Sequence, residues 1–236
     1  MIIPEKTKQI KHGNKILMKN IPRIFIDDEL KAGLVIPAPR DTAHYLTRVM
    51  RTDKCLVFGG GNEFFATLSA DAKNIVIGDK TTHSDPSNDI TLYFAPIKRI
   101  DDLINMATQM GIKRFQPVIT ERTVNHHVNW ARMAKIAIEA AEQSNRNSVP
   151  EIAAPIEFKK LDLNGICFAD ERFAYGNKAE PEIPATARAI FIGPEGGFSD
   201  AEFAAFDAAG AIPVSLGTTI LRAEVAAIVA IGKLKK

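Results

Sequence analysis

From Ile90 onward, apolar runs of strand length alternate with runs of helical period, and this rhythm leaves the second part of the chain few folds to choose from. "ITLYFAP" (90–96) predicts a strand, "RIDDLINMATQMG" (99–111) a helix ending on a glycine, and "RFQPVIT" (114–120) the next strand. A long helix is expected over 129–144. There Trp130, Met133, Ala134, Ala137, Ile138 and Ala141 recur at three- and four-residue intervals and make one buried face. Strands follow at 166–170, 189–193 and 212–217. Between the last two, Ser199 and Glu202 have the spacing of a capping box, and Gly210 ends the helix they start. The final helix, "AEVAAIVAIGKLK", is apolar almost all round, so it is expected in the core or in a subunit interface. Alternation of this kind means an open, mostly parallel α/β sheet.

The first part reads differently. "RIFID", "GLVIP", "KCLVFGG", "NEFFATLSA" and "NIVIGDK" are short runs of strand type separated by Gly, Asn and Asp, which suits a small β-barrel. One helical stretch, "DTAHYLTRVMR" (41–51), interrupts them, with Asp41 or Thr42 as its cap. The polar stretch "HSDPSND" (83–89) marks the boundary, so the expected division is an arm over 1–22, a barrel over 23–84 and an α/β domain over 88–236. Residues 1–23 carry six basic residues, Lys6 to Arg23, against Glu5 alone; the arm either holds a nucleic-acid backbone or is a solvated tail.

Composition narrows the class. With 46% hydrophobic residues the chain can bury a real core, and its net charge of +2 rules out a polycation. No apolar run is long enough to span a membrane, and the N-terminus lacks a secretory pattern. Cys55 and Cys167 lie far apart in apolar runs and read as buried thiols of a reducing cytosol. His12, His44, His83, His126 and His127 show no metal-ligand spacing, and "NHHVN" reads as a solvated loop.

The chemistry is expected at two glycine-marked strand ends. "FIGPEGGFSDAEF" (191–203) places Gly193, Pro194, Glu195, Gly196 and Gly197 after an apolar run and before a helix. In open α/β sheets ligands settle beyond the carboxyl ends of the strands. Glycines there let backbone groups approach a small molecule, although a roomy turn would use them too. The P-loop and dinucleotide fingerprints are absent, and Glu195 would repel a phosphate, so a neutral or cationic ligand fits better. "SLGTTILRAEVAA" (215–227) repeats the strand–glycine–helix order, with Leu216 and Leu221 as apolar walls and Arg222 and Glu224 as charges near a helix start.

Together, "IGPEGGFSDAEF" and "LGTTILRAEVAA" closely resemble the paired C-terminal motifs of the ribosomal RNA small subunit methyltransferase E family, which are knotted (SPOUT-type) methyltransferases. "HYLTRVMR" (44–51) and "AIEAAEQSNRNSVPEI" (137–152) resemble two further stretches of that family, so the likeness runs from about Arg23 to the end. Val225 stands where the family usually has Thr, and Met106 and Gln109 where it usually has Lys and Glu. The resemblance implies an N-terminal PUA-like β-barrel that binds RNA and a C-terminal domain tied in a deep trefoil knot. It implies a cytoplasmic homodimer joined through the last helix. It further implies S-adenosylmethionine bound by Ile192, Gly193, Pro194, Glu195, Gly196, Leu216, Gly217 and Leu221, with no metal.

The implied reaction is methylation of N3 of a uridine in 16S ribosomal RNA. Ribose 2′-O or tRNA methylation, or a non-catalytic assembly role, are the alternatives. N3 carries a proton on the Watson–Crick edge, so the base must be unpaired and the proton must leave. Arg222 is expected to steady the developing charge or support the cofactor, and Glu224 to act as base or orienting carboxylate. An ordinary salt bridge capping the last helix is the other reading of both. RNA contacts are expected from Arg48, Arg51, Lys98, Arg99, Arg122 and Arg146, each of which could also be a plain solvated charge.

Overall fold

A computed structural model describes residues 21–86, 89–176 and 183–235. The basic arm, save for its last two residues, lies outside them.

The first unit is a five-stranded sheet in the order β1-β3-β4-β5-β2. Its strands are β1 (Arg23–Phe25), β2 (Val35–Pro37), β3 (Lys54–Gly59), β4 (Asn62–Leu68) and β5 (Asn74–Lys80). β1 runs parallel to β3, and the other pairs are antiparallel. The β3–β4 hairpin closes on Gly60 and Gly61, both at positive φ, which is the backbone a two-residue turn needs. Ile24, Leu46, Val57, Phe64, Ile75 and Ile77 form its core.

The helix between β2 and β3 departs from the expected form. α1 (Arg40–His44) starts one residue early behind Pro39, with no side-chain cap from Asp41 or Thr42. It then widens into a π-type stretch over Tyr45–Met50 that ends on Arg51 at φ +52°. Only Leu46 of that stretch is buried, so one inward anchor, and not a continuous apolar face, positions it.

The second unit is a seven-stranded sheet ordered β12-β10-β11-β6-β7-β8, with β9 (Ile156–Glu157) pairing β7 off that path. β6 (Thr91–Phe94), β7 (Arg114–Ile119), β8 (Glu151–Ile152), β10 (Cys167–Ala169), β11 (Ala189–Ile192) and β12 (Ile212–Val214) all pair in parallel. The short β8 and β9 were not expected from the sequence. Strand side chains alternate between two cores. Leu92, Phe94, Ile190 and Cys167 face α2 (Ile100–Gln109), α3 (Trp130–Gln143) and α5 (Ala223–Leu234). Phe168 and Phe191 face α4 (Asp200–Ala208), where Phe168 stacks on Phe206 with ring centroids 4.1 Å apart.

In the second unit, helix caps and faces follow the sequence with one exception. Ser199 and Glu202 form the expected capping box at the start of α4. α3 buries Met133, Ala137, Ala140 and Ala141, whereas Ala134 is exposed: the inward stripe lies one position round from the predicted one. α5 buries most of its length against β11 and α2 but leaves Val225 42% exposed. Both cysteines are free and buried, and burial, with Asp53 nearby, pushes the Cys55 thiol up to about 11.

Arg23 joins the two units. Its Nε donates to Glu63 Oε2 at 2.9 Å, and its other nitrogens donate to the carbonyls of Ala141, Glu142 and Arg146 at the end of α3. Its guanidinium also covers the Phe58 ring at 4.3 Å. The backbone of Phe25 donates to Glu142 Oε1, and Asp85 accepts from Asn147 and Ser148.

Candidate functional site

Chain direction opens a crevice at the carboxyl ends of the central strands. The segment leaving β6 turns to α2 on one face, and the segment leaving neighbouring β11 turns to α4 on the other. Such a switch point is where open α/β sheets hold ligands. Here it is a cavity of about 510 Å³, within the size range of small-molecule sites.

Both glycine-marked loops border it. Ile192, Gly193, Pro194 and Glu195 form one wall, and Leu216, Gly217 and Leu221 the opposite one. Gly193 sits close against Phe198, whose ring an added Cβ would crowd at 3.2 Å. Gly197, at φ +69°, carries the loop past the Glu171 carboxylate, which a Cβ would overlap. Glu195 spans the crevice: its Oε1 accepts from the backbone N–H of Lys98 at 2.8 Å and ties the β11 loop to the end of β6.

Gly196 lies elsewhere. It turns away from the cavity toward Arg122, whose Cβ and Cδ an added Cβ would meet at 3.6 Å. The Arg122 guanidinium donates to the carbonyls of Gly196 and Phe198 at 2.9 and 3.1 Å, so this cation braces the loop from behind. The carboxylate of Glu202 acts beside it, one oxygen accepting from Ser199 N and the other from Glu121 N, both at 2.9 Å.

Arg222 and Glu224 both reach the cavity, but they are not paired with each other. Glu224 is 7% exposed in the first turn of α5, and its Oε1 lies 3.9 Å from Arg99 Nε. Arg222, exposed at the N-cap of α5, makes no side-chain ion pair among the described residues. Lys98 and Arg99 also line the cavity. Arg48 and Arg51 sit apart from it, exposed on the first unit. Arg146 is turned inward. Its guanidinium donates to the carbonyls of Thr108 and Ile112 and to Ser148, and desolvation holds its pKa below the usual arginine range.

The end of β10 contributes residues that the sequence reading did not single out. Asp170 and Glu171 line the cavity, and Asp170 is 3% exposed. Arg172 holds Asp170 from behind through a bidentate pair and lies over the Phe203 ring at 4.1 Å. The rule that selects strand ends would have found them, since "ICFAD" ends on Asp170. Four carboxylates, those of Asp170, Glu171, Glu195 and Glu224, thus border one small cavity together with the cations Lys98, Arg99 and Arg222, and neither Glu171 nor Glu195 forms an ion pair among the described residues, which leaves negative charge for a cationic group. Among the described residues no cluster of His, Cys, Asp and Glu could hold a metal ion, and no helix is long and apolar enough to cross a membrane.

Comparison with known proteins agrees with this geometry. A family model described as an RNA methyltransferase domain matches residues 84–235. The ribosomal RNA small subunit methyltransferase E of Rickettsia conorii is 33% identical over 231 residues, covering 90% of this chain and 94% of its own. Its counterpart in Synechocystis is 32% identical over 214 residues, covering 81% and 69%. The crystal structure of a ribosomal RNA small subunit methyltransferase E from Neisseria gonorrhoeae, bound to S-adenosyl methionine, superposes with a TM-score of 0.77 at 26% identity, over 91% of this chain and 97% of that one. A Legionella pneumophila protein in complex with the cofactor SAM gives 0.76 at 25% identity, over 91% and 97%. The matched segment takes in every wall of the cavity, and the chain belongs to the ribosomal RNA small subunit methyltransferase E family.

Proposed function

We propose that this protein methylates N3 of a uridine in the 16S ribosomal RNA of the small subunit, with S-adenosylmethionine as the donor. The observation that carries the reading is the cavity at the ends of β10, β11 and β12, bordered by both motif loops and ringed by carboxylates. S-adenosylmethionine, when bound, supplies a methyl group on a positively charged sulfur. The residues fit such a group: Ile192, Leu216 and Leu221 offer apolar surface, Gly193 and Gly217 expose backbone, and the carboxylates suit a cation.

The chain's own groups would do the rest. Glu224, buried beside Arg99, receives or orients the N3 proton. Arg222, which has no partner of its own among the described residues, steadies negative charge on the uracil oxygens. Arg48, Arg51, Lys98 and Arg99 are exposed and suit RNA phosphates. Arg122 and Arg146 brace the glycine loop and the end of α2 instead.

The same reading includes a PUA-like role for the first unit and a trefoil knot over the last strands and α5. It also includes a cytoplasmic homodimer through α5. The knot is supported by the return of the chain from edge strand β12 to pack α5 on β11, and the dimer by exposed Val225 and Ile220 beside the cavity.

The test is methylation of unmodified small subunits with labelled donor, followed by mass spectrometry of the nucleosides. A base methyl on uridine at N3 is the expected product. A ribose methyl, or no transfer, would overturn the reading.

A further inference from the structure

A second cavity, of about 430 Å³, adjoins the first across Lys98 and Arg99, which line both. Its other walls come from the starts of α2 and α3 and from the loop after β7. We propose that it receives the target nucleotide of the RNA. This inference rests on the methyltransferase reading and assigns the acceptor side of the same site.

Three observations support it. Methyl transfer needs the acceptor atom in contact with the donor's methyl group, so the acceptor must occupy space that opens onto the donor cavity. These cavities share two wall residues, Lys98 and Arg99. The chemistry of the walls also suits a nucleotide. Half-buried Val128 presents apolar surface for the face of a base, while Asn125 and His127 carry groups able to hydrogen-bond its edge. Finally, a cation stands where the cavities meet. The carboxylates of the second cavity are neutralised: Asp101 pairs with Arg132, and Asp102 lies 3.7 Å from Arg99. The Lys98 ammonium has no ion-pair partner among the described residues and can meet a phosphate of the nucleotide.

Two neighbouring substitutions test it. His127 lines the second cavity and His126 does not, and both are exposed, so a tryptophan at either leaves the core intact. His127→Trp is expected to raise the KM for unmodified small subunits about tenfold or more, with the Kd for S-adenosylmethionine by calorimetry moving less than about threefold. His126→Trp should change neither. Equal KM values for the two variants would overturn the inference, as would a parallel loss of donor affinity in His127→Trp. A wild-type protein that binds no donor and methylates nothing would instead overturn the methyltransferase reading itself.

Discussion

The Arg122 guanidinium donates to the carbonyl of Gly196 at 2.9 Å, from the side of the glycine loop that faces away from the cavity. A residue whose charge and position suggest RNA contact thus shapes a wall of the cavity. Removing it frees the loop and leaves two carbonyls without their donor. Arg122→Ala should weaken S-adenosylmethionine about tenfold, the scale of a charged hydrogen bond, with little change in the KM for RNA. The opposite split, measured by calorimetry and steady-state kinetics, would restore a phosphate-binding role.

Arg222 and Glu224 act on different partners, so their variants should differ. Arg222→Ala should lower kcat by about 100-fold or more and leave a folded protein, because its side chain holds no ion pair among the described residues. Glu224→Gln should lower kcat by about 100-fold while altering the pH–rate profile, as removal of a proton acceptor does. Full activity in either variant would remove that residue from the mechanism.

Gly197 is held at φ +69° against the Glu171 carboxylate. Gly197→Ala should destabilise the protein by roughly 1–2 kcal/mol from backbone strain alone, read by urea unfolding. Adding Glu171→Ala should relieve the contact but not the strain, so rescue should be partial. Complete rescue would show that the φ angle relaxes freely.

Glu142 sits in the joint between the units, and burial raises its pKa above the ordinary carboxylate range, against the lowering effect of the Phe25 N–H and of Arg23. A raised folded pKa means that its contribution is fully present below the unfolded value of about 4.3 and is lost as pH rises through the folded value. Glu142→Gln keeps an acceptor for Phe25 and removes that loss. The variant should match wild type in acid and be the more stable near neutral pH, as thermal unfolding at the two conditions would show. A variant less stable at both would place the ionised form in a favourable setting.

Local pattern carried much of this structure. The alternation after Ile90, the capping box at Ser199 and the two glycine-marked strand ends are written in short windows of sequence, and the α/β sheet and the cavity follow from them. What stayed hidden depends on long-range partners. Nothing near Gly196 says that Arg122, far back in the chain, will occupy its outer side. The inward turn of Arg146 depends on carbonyls at the end of α2, and the shift of the α3 stripe from Ala134 to Ala140 is set by how it packs on α2 and β1. Asp170 and Glu171 were visible as the end of a strand, but only the sheet order brings that end beside β11.

The divided carboxylate of Glu202 has a mechanical consequence. With one oxygen on Ser199 and the other on Glu121, it pins the far end of the glycine loop to the turn after β7, while Arg122 pins its middle. The facing loop after β12 is anchored chiefly at Ser215, through Lys233 and Gly217, and Thr219 and Ile220 lie exposed. The cavity is therefore built like a vice with one fixed jaw. A molecule filling the cavity would rest on the braced β11 side, and any adjustment of fit would fall to the Thr219–Ile220 side.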